Sequence, residues 1–240
     1  MKKAILFKTH VWSDSIEIDL IRIVNENQGS DIFVILQDDE GKLLSKVRSN
    51  NLRKLITVVT EDEIKSIYDS GYINKLLSNH WILMWFFRHY PDYDYYWSME
   101  YDVKILGNSN RIWEIDSDAD FLYPTGNYRT SANNKYNDTA IGDLFEEKYS
   151  GFLQLARYSN NALRYLDDMY MNGNNAQDEI ATFTLLRLSG LSMSAKELHP
   201  LITGYWTCDN YYQKENLKKY QMCKKWLRPD ELFIFHPIKS

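Results

Sequence analysis

The sequence predicts an α/β protein with a mostly parallel, twisted sheet flanked by helices on both faces. Short apolar runs suited to buried strands alternate with longer amphipathic stretches, at a spacing that fits strand–helix–strand crossovers. Polar loops follow the first, second and fourth of these runs, where ligands gather in open sheets of this class. A length of 240 residues with 44% hydrophobic content supplies a core for one large domain or two closely packed halves.

The elements follow in order. Residues 3–8 (KAILFK) suit a buried strand. Asp14 or Ser15 is the expected cap of a helix whose apolar face is Ile16, Leu20, Ile23 and Val24. Residues 31–36 (DIFVIL) form the second strand, and residues 37–41 the polar loop beyond it. The third strand, residues 55–59, runs into a Thr60-Glu61-Asp62-Glu63 capping box. A strongly apolar helix over residues 75–89 stops before Pro91, and residues 95–99 (YYWSM) make the fourth strand.

The second half is less regular. Residues 108–137 are rich in Asn, Asp, Ser and Gly and read as loops over the sheet. Residues 152–158 read as a strand, and residues 160–171 as a helix with Leu163 and Leu166 inward. A break at residues 172–175 precedes a helix over residues 177–188, closed by Gly190. Residues 232–235 form the last strand.

Composition removes several function classes. A net charge of −5 offers no basic surplus for the phosphate backbone, so no nucleic-acid partner is expected. The most apolar run, residues 81–87, is broken at once by Arg88 and His89, so no membrane span is expected. The N-terminal apolar run is too short for a signal peptide, and Cys208 and Cys223 make no disulfide framework. A cytoplasmic location is the expectation. The 15% aromatic content fits a large core and equally a sugar- or base-stacking site.

The sharpest chemical feature is Glu100-Tyr101-Asp102. Two acids two residues apart at a strand end leave on one face, and hard cations such as Mn²⁺ or Mg²⁺ relieve their repulsion. The alternative is a strand end whose acids meet only water. Asp178 and Glu179 open a helix after the Asn/Gly break; they suit a general base and equally a helix N-terminus that favours acids. Asp116, Asp118 and Asp120 begin like a calcium loop, but Phe121 and Asn127 stand where that loop needs Gly and Glu. His10, His80, His89 and His199 lack ligand or triad spacing. No dinucleotide fingerprint, P-loop or nucleophile elbow is present.

Residues 95–103 (YYWSMEYDV) resemble the segment carrying the Asp-X-Asp motif of GT-A glycosyltransferases, with Glu100 in place of the first Asp. Three more segments occur in the family's order. Ala156-Arg157-Tyr158-Ser159 resembles the strand-to-helix turn behind the acceptor site. Gln177-Asp178-Glu179-Ile180, with Thr184-Leu185 and Gly190-Leu191 after it, resembles the helix whose acid is the base of many inverting members. Phe235-His236-Pro237-Ile238-Lys239 resembles a His-Pro-X-Lys ending whose histidine completes the metal shell.

The resemblance implies one GT-A-like domain over residues 1–240, with a nucleotide-binding half to about residue 107 and an acceptor half from about 108. It implies Mn²⁺ or Mg²⁺ on Glu100, Asp102 and His236, and Asp178 or Glu179 as base. Thr9, His10, Asp38 and Asp39 would hold the nucleotide's base and ribose, and Lys239 would approach the diphosphate. Residues 116–121 would flank the donor. The donor is then a nucleotide-diphosphate sugar, UDP favoured, and the acceptor a carbohydrate or lipid-linked hydroxyl in polysaccharide or glycolipid assembly. Two other readings stay open. A nucleotidyltransferase would carry a glycine-rich basic loop, and residues 7–14 contain no glycine. A non-catalytic nucleotide-sugar-binding scaffold would have no need to keep Glu100, Asp102 and His236 together.

Overall fold

The structure, a computed structural model, describes residues 1–130, 147–206 and 210–239. Eleven strands are found among them: β1 (Lys3–Thr9), β2 (Asp31–Gln37), β3 (Ile56–Val59), β4 (Tyr95–Glu100), β5 (Lys104–Leu106), β6 (Phe121–Leu122), β7 (Gly126–Arg129), β8 (Tyr149–Gly151), β9 (Leu155–Ser159), β10 (Met193–Ser194) and β11 (Phe233–Phe235). Seven of these build the central sheet in the order β10-β6-β9-β4-β1-β2-β3. Every neighbouring pair in it is parallel except the two made by β9, which runs against β4 and β6.

The strands are buried because their residues alternate between two apolar layers. Ala4 and Leu6 of β1 face one layer, while Ile5 and Phe7 face the other. The first layer is covered by α4 (His80–His89), α6 (Asn160–Met171) and α7 (Asp178–Ser189), which contribute residues such as Trp81, Phe86, Leu163, Leu166 and Phe183. The second is covered by α1 (Asp14–Glu26) through Ile16, Leu20 and Ile23, and by the short α5 (Asn110–Trp113) through Ile112 and Trp113. The α/β class with helices on both faces is what the alternating pattern predicts.

Several local expectations need correction. Ser13, not Asp14 or Ser15, caps α1: its extended backbone lets Oγ accept from Ile16 N at 3.3 Å. The apolar helix begins at His80, not residue 75; residues 75–79 form a turn stapled by Asn74 Oδ1, which accepts from Leu76 N and Leu77 N. Residues 108–130 are not all loop, since α5 packs in the core and β6 enters the sheet between β9 and β10. The rest of that stretch, to residue 137, and Cys208 lie outside the described residues. The last strand does not join the central sheet. Instead β11 pairs antiparallel with β5.

Three predictions of detail match closely. Thr60 and Glu63 form the capping box of α3 (Glu61–Lys65). The α6 helix spans residues 160–171, and Gly190 ends α7 at φ 77° in the left-handed region; α7 itself starts at Asp178, with Gln177 as its side-chain cap.

The long α8 (Asn210–Trp226) has no counterpart among the sequence expectations. Its inward face is thin: Leu217, Tyr220 and Cys223 pack on a small cluster of Leu106, Phe235 and Ile238. Beneath that cluster Gly107 sits at φ 98°, so close to the carbonyl of Glu231 that a Cβ would overlap it. No helix among the described residues is long and apolar enough to cross a membrane.

Candidate functional site

The parallel strands β1 and β4 end side by side, with Lys8 level with Glu100. Beyond their carboxyl ends opens a cleft of about 260 Å³. Its walls come from the β1 end (Lys8, Thr9, His10), the turn before α4 (Lys75, Asn79), the β4 end (Glu100, Tyr101, Asp102), Gln154 before β9, the start of α7 (Gln177, Asp178, Glu179) and the chain after β11 (His236, Lys239).

Glu100, Asp102 and His236 lie together, each offering a ligand atom within 4.8 Å of the others. The β5–β11 pairing brings the histidine there, reinforced by Ile238 N donating to Asp102 O at 2.8 Å and Asn216 Nδ2 donating to His236 O at 3.1 Å. The imidazole leans on Trp206 with ring centroids 5.0 Å apart, and its Nε2 lies 3.5 Å from Asp102 Oδ1. Asp102 Oδ1 and His236 Nδ1 are buried without a hydrogen-bond partner.

Burial raises Glu100 to about 7, opposed by Lys8, whose Nζ is 3.9 Å away, and reinforced by Asp102 and Glu179. Burial also raises Asp102, with Lys239 and Lys104 acting against it. The imidazole of His236 is pushed down to about 3 by burial and by Lys239, so it is neutral at pH 7. A neutral imidazole and two carboxylates short of positive charge form a donor set that fits a divalent cation. The orphaned oxygen of Asp102 is what a cation would satisfy.

A second acidic pair lines the same cleft. Asp178 Oδ1 accepts from Gln177 Nε2 at 2.6 Å and from Glu179 N at 2.8 Å. Glu179 Oε1 accepts from Gln154 Nε2 at 3.0 Å, and Gln154 Oε1 accepts in turn from Trp206 Nε1 at 3.1 Å. Burial raises Asp178 well above the carboxylate range, with Glu179 and Glu100 adding to it. Glu179 is raised to about 7 by burial, opposed by its bonds to Gln154 and Gln177. Lys8, buried between the two pairs, is pushed down by burial and held up by Glu100 and Asp178.

The remaining predicted residues divide. Thr9, His10 and Lys239 line the cleft. His10 packs edge-on against Tyr101 at 5.2 Å and is lowered by burial, Lys75 and Lys239. Asp38 and Asp39 are not among the cleft residues. Asp38 instead accepts from the backbone of Lys42, Leu43 and Leu44, and Asp39 accepts from Glu61 N; both carboxylates shape loops at the end of β2. Neither carboxylate is part of the cleft lining.

In the Asp116–Asp120 stretch, the structure places Asp120 away from the cleft. Because β9 is antiparallel, its last residue Ser159 is level with Tyr95 at the start of β4, and Ser159 N donates to Asp120 O. Asp120 therefore lies at the opposite edge of the sheet from Glu100. The turn at Ser159 lies at that far edge too; what β9 presents to the cleft is the residue before it, Gln154.

Sequence reasoning missed Lys8, Lys75, Asn79, Gln154 and Trp206. A lysine closing the apolar run of β1, one residue before the strand end, was a legible signal for Lys8. Nothing local marks Gln154 or Trp206, whose places depend on strand direction and on the long return of the C-terminal segment.

A family profile described as "Protein of unknown function (DUF3405)" matches residues 20–117. Among curated proteins none matches the chain. Solved structures with a similar fold include the galactosyltransferase LgtC in complex with donor and acceptor sugar analogs, at 10% identity and TM-score 0.48, covering 80% of this chain and 73% of that one. The glycosyltransferase GlyE of Streptococcus pneumoniae TIGR4 is 12% identical with TM-score 0.47, covering 100% of this chain and 55% of that one. The inositol-1-phosphate CTP transferase from T. maritima is 10% identical with TM-score 0.46, covering 81% and 84%.

Proposed function

We propose that this chain is a metal-dependent glycosyltransferase of the GT-A type, moving a sugar from a nucleotide-diphosphate donor, UDP-sugar favoured, to an acceptor hydroxyl. The single observation that carries the reading is the gathering of two acidic groups in one cleft: Glu100, Asp102 and His236 with ligand atoms within 4.8 Å, and Asp178 and Glu179 in the same lining.

In this reading Glu100, Asp102 and His236 hold Mn²⁺ or Mg²⁺. When bound, the cation supplies Lewis-acid stabilisation of charge on the leaving diphosphate. Lys239 and Lys75, both on the cleft wall, add positive charge for the same phosphates. His10 and Tyr101 offer flat surfaces to the nucleotide beside Thr9. The Asp178–Glu179 pair accepts the acceptor's proton. Glu179 is the better matched of the two, since its pKa of about 7 sits near working pH, where a general base is most effective. Gln154 and Gln177 keep its carboxylate oriented. The acceptor is a carbohydrate or lipid-linked hydroxyl, and the setting a cytoplasmic one.

Asp102→Asn tests the metal site. Calorimetry with UDP should show that Mn²⁺ strengthens binding to the wild type and has no such effect on the variant, with unchanged circular dichroism. Equal Mn²⁺-dependent affinity in both proteins would overturn the assignment.

A further inference from the structure

The outer face of α8 combines basic charge with exposed apolar side chains. Residues 210–228 hold five lysines and Arg228 against the single acid Glu215, in a chain whose net charge is −5. Inward-facing Leu217, Tyr220 and Cys223 fix the helix's rotation. Residues 211, 215, 218, 222 and 226, spaced by four and three, therefore share the outermost stripe. Tyr211, Met222 and Trp226 on that stripe are exposed by 68%, 58% and 69%. Lys214, Lys219 and Lys225 flank the stripe on its two sides, and Lys225 Nζ lies 5.2 Å from the Trp226 ring.

Beside this face lies an open depression of about 530 Å³, whose lining includes Tyr205, Lys218, Lys219 and Met222. Exposed Trp and Met at the pole of a helix, rimmed by lysines, form the pattern of a helix lying in a lipid headgroup layer. The apolar pole enters the acyl boundary while the lysine rims meet lipid phosphates.

We propose that the outer face of α8 docks on an anionic lipid surface. Charge complementarity selects the occupant: five lysines and Arg228 against one acid make a basic face that anionic headgroups attract. A single convex helix with a thioether and an indole at its crest also suits a deformable lipid layer better than a stacked nucleic-acid strand, which needs a basic groove. Gln213 in the first turn of α8 lines the cleft, so docking would hold the cleft mouth near the headgroups. Lipid docking is independent of the reaction assigned to the cleft and goes beyond it.

The test is co-sedimentation of the full chain with vesicles of phosphatidylcholine and phosphatidylglycerol in equal parts, against phosphatidylcholine alone. Wild type should partition onto the anionic vesicles only, and less so as salt is raised. Lys218→Glu with Lys219→Glu should weaken partition about tenfold or more, given the usual contribution of each basic residue near such a surface. Met222→Ser with Trp226→Ser should weaken it by about the same factor through lost apolar burial. Both double variants alter exposed side chains, and unchanged thermal unfolding and UDP binding would show that fold and cleft are intact. Failure of wild type to bind anionic vesicles overturns the proposal, as does equal binding by both variants. Binding of a single-stranded oligonucleotide through Lys218 and Lys219 in place of vesicles would overturn it in favour of nucleic acid.

Discussion

The two edges of the central sheet both carry carboxylates, and they use them in opposite ways. At the edge where the parallel strands begin, Asp120 Oδ2 accepts from Ser192 N and Oγ at 3.0 and 2.8 Å, and its Oδ1 accepts from Ser159 Oγ at 2.9 Å. Asp94 there accepts from Lys2 N at 2.7 Å. These acids pin one segment of chain to the next. At the edge where the strands end, Glu100, Asp102, Asp178 and Glu179 crowd one cleft and burial raises all four. The contrast shows that a group of acids marks a site by unmet electrostatic demand, and that acid count alone marks nothing.

The contrast can be broken most severely at the base. Glu179→Gln, or Asp178→Asn if the proton goes there, should lower turnover roughly a hundredfold or more, the usual scale for general-base loss. Donor affinity should stay close to wild type. Near-normal transfer by both single variants would move the base elsewhere.

Titration gives a finer test of the same edge. Glu100 has a folded pKa of about 7 against an ordinary value of 4.5, so the folded form holds its proton more tightly. Stability from this group is present below its unfolded pKa and is lost as pH rises towards 7. Without metal, Glu100→Gln should therefore gain melting temperature relative to wild type between pH 4.5 and pH 7. Parallel melting curves across that window would show that Glu100 carries no such strain. Saturating Mn²⁺ should reverse the ranking.

The smallest effect is expected at the opposite edge. Asp120→Ala removes three hydrogen bonds and should cost about 2 kcal/mol in urea unfolding. UDP and Mn²⁺ binding should not change. A loss of donor affinity would mean that the two edges communicate.

Much of this was legible locally. The strand runs ILF, DIFVIL and YYW carry their own burial pattern, and the S/T-x-x-E box and Gly190 mark helix ends by chemistry that acts within a few residues. Glu100 and Asp102 were legible as a pair because strand geometry alone puts them on one face. What stayed hidden depends on direction in space. The antiparallel course of β9 sends Asp120 to the far edge and Gln154 into the cleft, and no residue within residues 152–159 announces it. The polar sequence of α8 hides a helix whose inward contacts are few, and Asp38 was drawn to its own backbone by neighbours only four to six residues away.

Gly107 gives this architecture an inherited weak point far from any chemistry. The carbonyl of Glu231 lies where a side chain at residue 107 would go, and residues 231–236 are the segment that delivers His236. Any missense change at that codon would push on the leash of the histidine and leave both carboxylate pairs in place. In a genetic screen such an allele would look like a lesion in the cleft, although its altered residue touches nothing there. Selection for function would thus police a glycine that a map of the active surface would leave out.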